Sequence, residues 1–89
     1  VYLVMVAVDT PGWRVDVGEL RRALHDSSAV TDRLQHAYLD VEDEQAVFSL
    51  YLQGADLQDA TTLADQLCRR TMAAVAPSGQ WSVSSTRTL

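Results

Sequence analysis

The chain opens on an unbroken apolar run, residues 1–8, that stops at Asp9-Thr10-Pro11-Gly12. A short β-branched run closed by a Pro-Gly pair is the pattern of a buried strand. Its two alternating sets, Val1/Leu3/Met5/Ala7 and Tyr2/Val4/Val6/Val8, are both apolar. A strand apolar on both faces belongs in the middle of a sheet. Residues 9–15 read as a loop with a tight turn at Pro11-Gly12. Asp16 then stands where a helix cap belongs, placed to accept the Glu19 amide while Glu19 reaches back. Val17, Leu20 and Leu24, with Ala23 beside them, make one apolar stripe. That helix is expected to end near His25 or Asp26, before Ser27-Ser28.

Residues 34–41 alternate, with Ala37, Leu39 and Val41 on one side and His36, Tyr38 and Asp40 on the other. Glu42-Asp43-Glu44-Gln45 breaks the pattern as a hairpin tip. Residues 46–53 form the next strand, with Phe48, Leu50 and Leu52 opposed to Val47, Ser49 and Tyr51. Gly54-Ala55 ends it, and Asp56 is placed to cap a second helix. Asp59 lies early in that helix and Arg69-Arg70 near its far end, both complementing the dipole. Ala60, Leu63, Ala64, Leu67, Cys68, Met72 and Val75 repeat with helical period, and Pro77 and Gly79 stop the helix. Residues 80–85 are a last short strand, with Trp81 and Val83 on one face, and residues 86–89 a C-terminal tail.

The order β-α-β-β-α-β with right-handed crossovers gives an α+β ferredoxin-like sandwich: a four-stranded antiparallel sheet in spatial order 4-1-3-2, two helices on one face. The domain spans residues 1–85. That order puts strands one and three in the centre, and these are the two that are apolar on both sides. It also leaves one sheet face without helices. Whichever apolar set of the first strand faces outward, Val47 and Tyr51 lie beside it, with His36 and Tyr38 from the second strand. An exposed apolar patch of this kind marks a partner or ligand surface. A homodimer or a protein complex through the open face is therefore expected.

Composition narrows the field of functions. The 89 residues are 47 % hydrophobic and carry a net charge of −5. All seven basic residues are Arg, with no basic stripe, which disfavours nucleic acid. The single Cys68 supports neither a disulfide framework nor a cysteine zinc site. No stretch has the length of a membrane span or the pattern of a signal peptide, so a soluble, cytoplasmic domain is expected. The lack of Ile, Asn and Lys fits a GC-rich genome.

No residue pattern assigns catalysis, a cofactor or a metal. His25 suits a helix C-terminus. His36, Tyr38 and Asp40 point the same way from one strand; they form either a polar edge strip or a row able to bind a polar ligand. Cys68 sits in the apolar stripe of its helix, as a small core residue. Trp13 either lids a pocket or folds over the first helix, and Arg14 beside it could hold an anion. The acidic tip at 42–44 reads as a solvated turn. The serines have no nucleophile context and the glycines form no phosphate loop. The candidate ligand or partner surface is Trp13, Arg14, His36, Tyr38, Val47 and Tyr51.

Residues 33–40, RLQHAYLD, residues 47–70 and the late Trp81 strand resemble a group of short uncharacterised actinobacterial ferredoxin-like proteins. That resemblance implies fold and source and no site. The opening VAVDTPGW, with Asp9, Pro11 and Gly12, resembles the start of ACT domains. This likeness covers only the beginning of the chain. It implies a small regulatory module that binds an amino acid between subunits, near residues 9–13. Three functions stay in view: a non-enzymatic interaction or accessory module serving a biosynthetic or regulatory partner, an ACT-like sensor, and a small dimeric α+β barrel enzyme using His36 and Tyr38.

Overall fold

Apolar alternation in the strands and helical stripes between them resolve, in a computed structural model, into six elements; the model describes residues 1–29, 33–76 and 80–89. They are β1 (Tyr2–Asp9), α1 (Val17–Ser27), β2 (Leu34–Glu42), β3 (Gln45–Leu52), α2 (Leu57–Val75) and β4 (Ser82–Thr88). The four strands form one sheet in the order β2-β3-β1-β4, with every neighbouring pair antiparallel. This is the ferredoxin-like α+β sandwich, and β1 and β3 hold its centre.

The register decides which apolar set of β1 goes inward. Val4, Val6 and Val8 pair with Leu50, Phe48 and Ala46, and all six are buried. Beneath the helices they join Leu20, Leu24, Ala60, Ala64, Leu67, Cys68 and Met72 in one core. Two buried hydroxyls are satisfied locally. Thr71 Oγ1 donates to Leu67 O at 2.8 Å, and Thr10 Oγ1 to Trp13 O at 2.8 Å. Buried polar groups without such partners would oppose folding.

The helix starts follow capping chemistry with one change. Asp16 caps α1, but its carboxylate accepts from the Gly18 amide at 3.2 Å and not from Glu19. A cap side chain reaches the second helical amide as readily as the third. Val17, expected in the apolar stripe, is 39 % exposed, so Leu20 and Leu24 alone anchor α1 as buried residues. Asp56 caps α2 by accepting from Asp59 N at 2.8 Å, and Asp59 returns by accepting from Ala55 N at 2.8 Å. The α2 helix runs to Val75, so Arg69 and Arg70 lie outside its last turn, where the dipole acts. Arg69 instead pairs with Asp65 at 2.8 Å, and Arg70 donates to Ser27 O at the end of α1. The Pro77-Gly79 helix stop lies outside the described residues.

The last strand is longer than its sequence suggests. Thr86, Arg87 and Thr88 are not a tail: they pair with Val6, Met5 and Val4, and Leu89 N donates to Leu3 O at 2.9 Å. A bulge between Ala7 and Val8 makes this possible, because Ser85 pairs with Ala7 while Val83 pairs with Val8. The extra residue, Ser84, donates its hydroxyl to Ala7 O at 3.1 Å. One extra residue reverses the alternation, so Val83, Thr86 and Thr88 share the helix side of the sheet. Thr88 Oγ1 there meets Thr61 Oγ1 of α2 at 2.7 Å.

Candidate functional site

Every strand sends one set of side chains away from the helices. From β1 these are Leu3, Met5, Ala7 and Asp9, all half-buried; from β3, Gln45, Val47, Ser49 and Tyr51. From β2 they are His36, Tyr38, Asp40 and Glu42, and from β4, Ser82, Ser85 and Arg87. The registers set them in four rows across the sheet: His36–Tyr51–Leu3, Tyr38–Ser49–Met5–Arg87, Asp40–Val47–Ala7–Ser85, and Glu42–Gln45–Asp9–Ser82. A second bulge, between Leu34 and His36, turns His36 onto this face.

The face has an aromatic corner and an aliphatic centre. His36 and Tyr38 meet edge to face with ring centroids 4.6 Å apart. Tyr51 closes a triangle at 6.3 Å from His36 and 6.2 Å from Tyr38. Such spacings are those of favourable aromatic contacts. Tyr38 stands proud, 58 % exposed. Beside the triangle, Met5, Ala7, Val47, Ser85 and Arg87 line a shallow depression of about 280 Å³. Asp40 and Arg87 mark opposite edges of the sheet, and neither has an ion-pair partner among the described residues.

Four of the six candidate residues, His36, Tyr38, Val47 and Tyr51, thus come together on the open face. Trp13 and Arg14 do not join them. Trp13 is half-buried against the core, with its amide donating to Thr10 O at 3.0 Å. Arg14 donates to Asp43 at 3.1 Å in an exposed ion pair. Both belong to a loop clasped by the β2–β3 hairpin tip. Glu44 accepts the Gly12 amide on its side-chain oxygen at 2.8 Å and the Thr10 amide on its backbone oxygen at 2.9 Å. The acidic tip at 42–44 therefore works as a clasp as well as a turn. Shallow depressions flank this loop, one of about 380 Å³ at Pro11, Gly12, Trp13 and Gln80. Another of about 460 Å³ lies between the start of α1 and Leu39–Val41 of β2.

Arg87 is the surface residue that pattern reasoning missed. Thr86 and Thr88 are β-branched and flank a single charge, an alternation that suits a half-exposed strand. That was the available signal.

The face presents aromatic rings beside an aliphatic depression. His36 is exposed, with the rings of Tyr38 and Tyr51 beside it. Cys68 is fully buried. Burial, helped by the negative charge of Asp65 and opposed by Arg69, pushes its thiol far above the ordinary 9.0, so it stays protonated. A protonated, inaccessible thiol is no nucleophile. Among the described residues no cluster of three or more His, Cys, Asp or Glu could hold a metal ion, and no helix is long and apolar enough to cross a membrane. Set against known proteins, the chain matches no family model, no curated protein and no solved structure.

Proposed function

We propose that this chain is a small non-enzymatic interaction or accessory protein whose working surface is the open sheet face. One observation carries this: Leu3, Met5, Val47, Tyr38 and Tyr51 form a contiguous apolar and aromatic patch on a face that no element among the described residues covers. Water in contact with that patch is released when a second protein surface meets it, at roughly 25 cal/mol per Å² of apolar area buried. Tyrosine and methionine are residues that interfaces favour, since they give large contact area with adaptable geometry.

Less supports the other two functions. An amino-acid sensor near residues 9–13 would need free backbone donors at the loop, and Glu44 already takes those of Thr10 and Gly12. A barrel-type enzyme would need an enclosed pocket over His36, whereas the depression nearest the sheet centre is shallow and lined by Met5, Ala7, Val47, Ser85 and Arg87.

Sedimentation velocity of the wild type beside Met5→Glu tests the proposal. The wild type sediments faster as concentration rises, and Met5→Glu stays at the monomer value with an unchanged circular dichroism spectrum. Equal behaviour of the two proteins would contradict it.

A further inference from the structure

The open face is bounded by unlike charges on its two edges, and this limits what can cover it. Asp40 stands on β2 and Arg87 on β4, with two central strands of largely apolar side chains between them. With strands ~4.8 Å apart and ~3.3 Å per residue, the face measures roughly 500 Å² in flat projection. Its accessible area is larger because the side chains stand up from the sheet. That is close to the ~800 Å² per partner of an ordinary specific interface. A surface of this size and shape is covered by another sheet face, packed ~10 Å away with strands roughly aligned.

We infer that the occupant is a second copy of this chain, docked face to face about a two-fold axis running along the strands, so that Arg87 of each copy meets Asp40 and Tyr38 of the other. The inference rests on the open face being an association surface. The charges select the axis. A two-fold across the strands would set β4 on β4 and β2 on β2. The outward residues of β4 include Ser82, Ser85 and Arg87 and no acid, so each Arg87 would face a strand without a counter-charge and have only Asp9, on β1 of the other copy, to reach sideways for. A two-fold along the strands sets β4 on β2. Arg87 shares a row with Tyr38, and Asp40 lies one row away, within reach of a long guanidinium side chain. The Tyr38 ring then receives the cation on its face, a favourable contact. In the centre the same axis lays β3 on β1: Ser49 opposes Met5, Val47 opposes Ala7 and Tyr51 opposes Leu3. Large side chains meet smaller ones down both central strands, which is how facing layers interdigitate.

Charge reversal tests the axis. In Asp40→Arg or Arg87→Asp, like charges face each other across the interface, and the symmetry repeats each clash twice. Each single variant is expected to weaken self-association about tenfold at low salt, an effect that fades as salt is added. The double variant Asp40→Arg/Arg87→Asp restores opposite charges and recovers most of the lost affinity, all but the part that Arg87 draws from the Tyr38 ring. Single reversals that leave affinity unchanged, or a double variant no tighter than the singles, would overturn the axis. Met5→Glu separates this from failure of the surface itself. If Met5→Glu abolishes association while the reversals do nothing, the face is an interface and the axis is wrong. If the wild type never associates, the surface reading falls with it.

Discussion

Gly54 and Ala60 are in backbone contact: a Cβ on Gly54 would stand 2.8 Å from the Ala60 nitrogen and 2.9 Å from its Cβ. This is where β3 leaves the sheet and the first turn of α2 comes down on it. The obstruction is backbone, which has little room to move. Gly54→Ala is therefore expected to destabilise the fold by ~1–3 kcal/mol. In a domain of this size that lowers the melting temperature by several degrees. A thermal melt checks it, and an unchanged midpoint would contradict the close approach.

Glu44 spends conformational energy to hold the β1–α1 loop. Its backbone is left-handed, with φ of 64°, a region that costs a residue with a side chain ~1–2 kcal/mol. Its carboxylate accepts the Gly12 amide in return. Glu44→Ala keeps the strain and loses the bond, so it should destabilise by ~1 kcal/mol. Glu44→Gly loses the same bond and relieves the strain, so it should lie closer to the wild type or above it. Urea denaturation of the two variants beside the wild type tests both parts: Ala at least as stable as Gly would count against the strain, and Ala as stable as the wild type would count against the clasp.

Cys68 gives a pH dependence with a definite sign. Burial first, and Asp65 second, raise the folded-state pKa above the ordinary 9.0. The unfolded chain loses the thiol proton near that ordinary value, and the folded chain does not. The contribution is thus fully present below pH 9.0 and is lost as pH rises above it, by at most ~1.4 kcal/mol per pH unit. Cys68→Ala lacks this component: its stability starts lower because of the cavity, but falls less steeply in alkali. Parallel slopes would mean that the thiol ionises in place. In the native protein, Cys68 should react with a thiol reagent only as fast as the fold opens.

Much of the architecture was legible because hydrophobicity and topology point the same way. Runs that are apolar on both faces, at Val4 to Val8 and around Phe48, belong in the sheet centre, and the connections put them there. What pattern alone could not resolve was the facing of β1. Val4, Val6 and Val8 are hardly more apolar than Leu3, Met5 and Ala7; the choice came from pairing with Phe48 and Leu50. The length of β4 was hidden for a related reason. Ser84 is a bulge, so alternation read through it places every later residue on the wrong face.

The surface was partly legible in the same way. His36, Tyr38, Val47 and Tyr51 follow from strand alternation once the order of strands is known. Trp13 and Arg14 drew attention as loop residues, but their positions are set by the hairpin tip about thirty residues away in sequence, through Asp43 and Glu44. Contacts of that kind leave no local pattern. Arg87 was obscured by the bulge, although it supplies the charge that orients the face.

Light scattering of the wild-type chain, diluted from ~1 mM to ~10 µM, tests the central claim most directly, since an interface of this size is expected to associate in the micromolar range. The account predicts a weight-average mass that rises from 9.8 kDa toward twice that value as concentration increases. A mass fixed at 9.8 kDa across the whole series would contradict it.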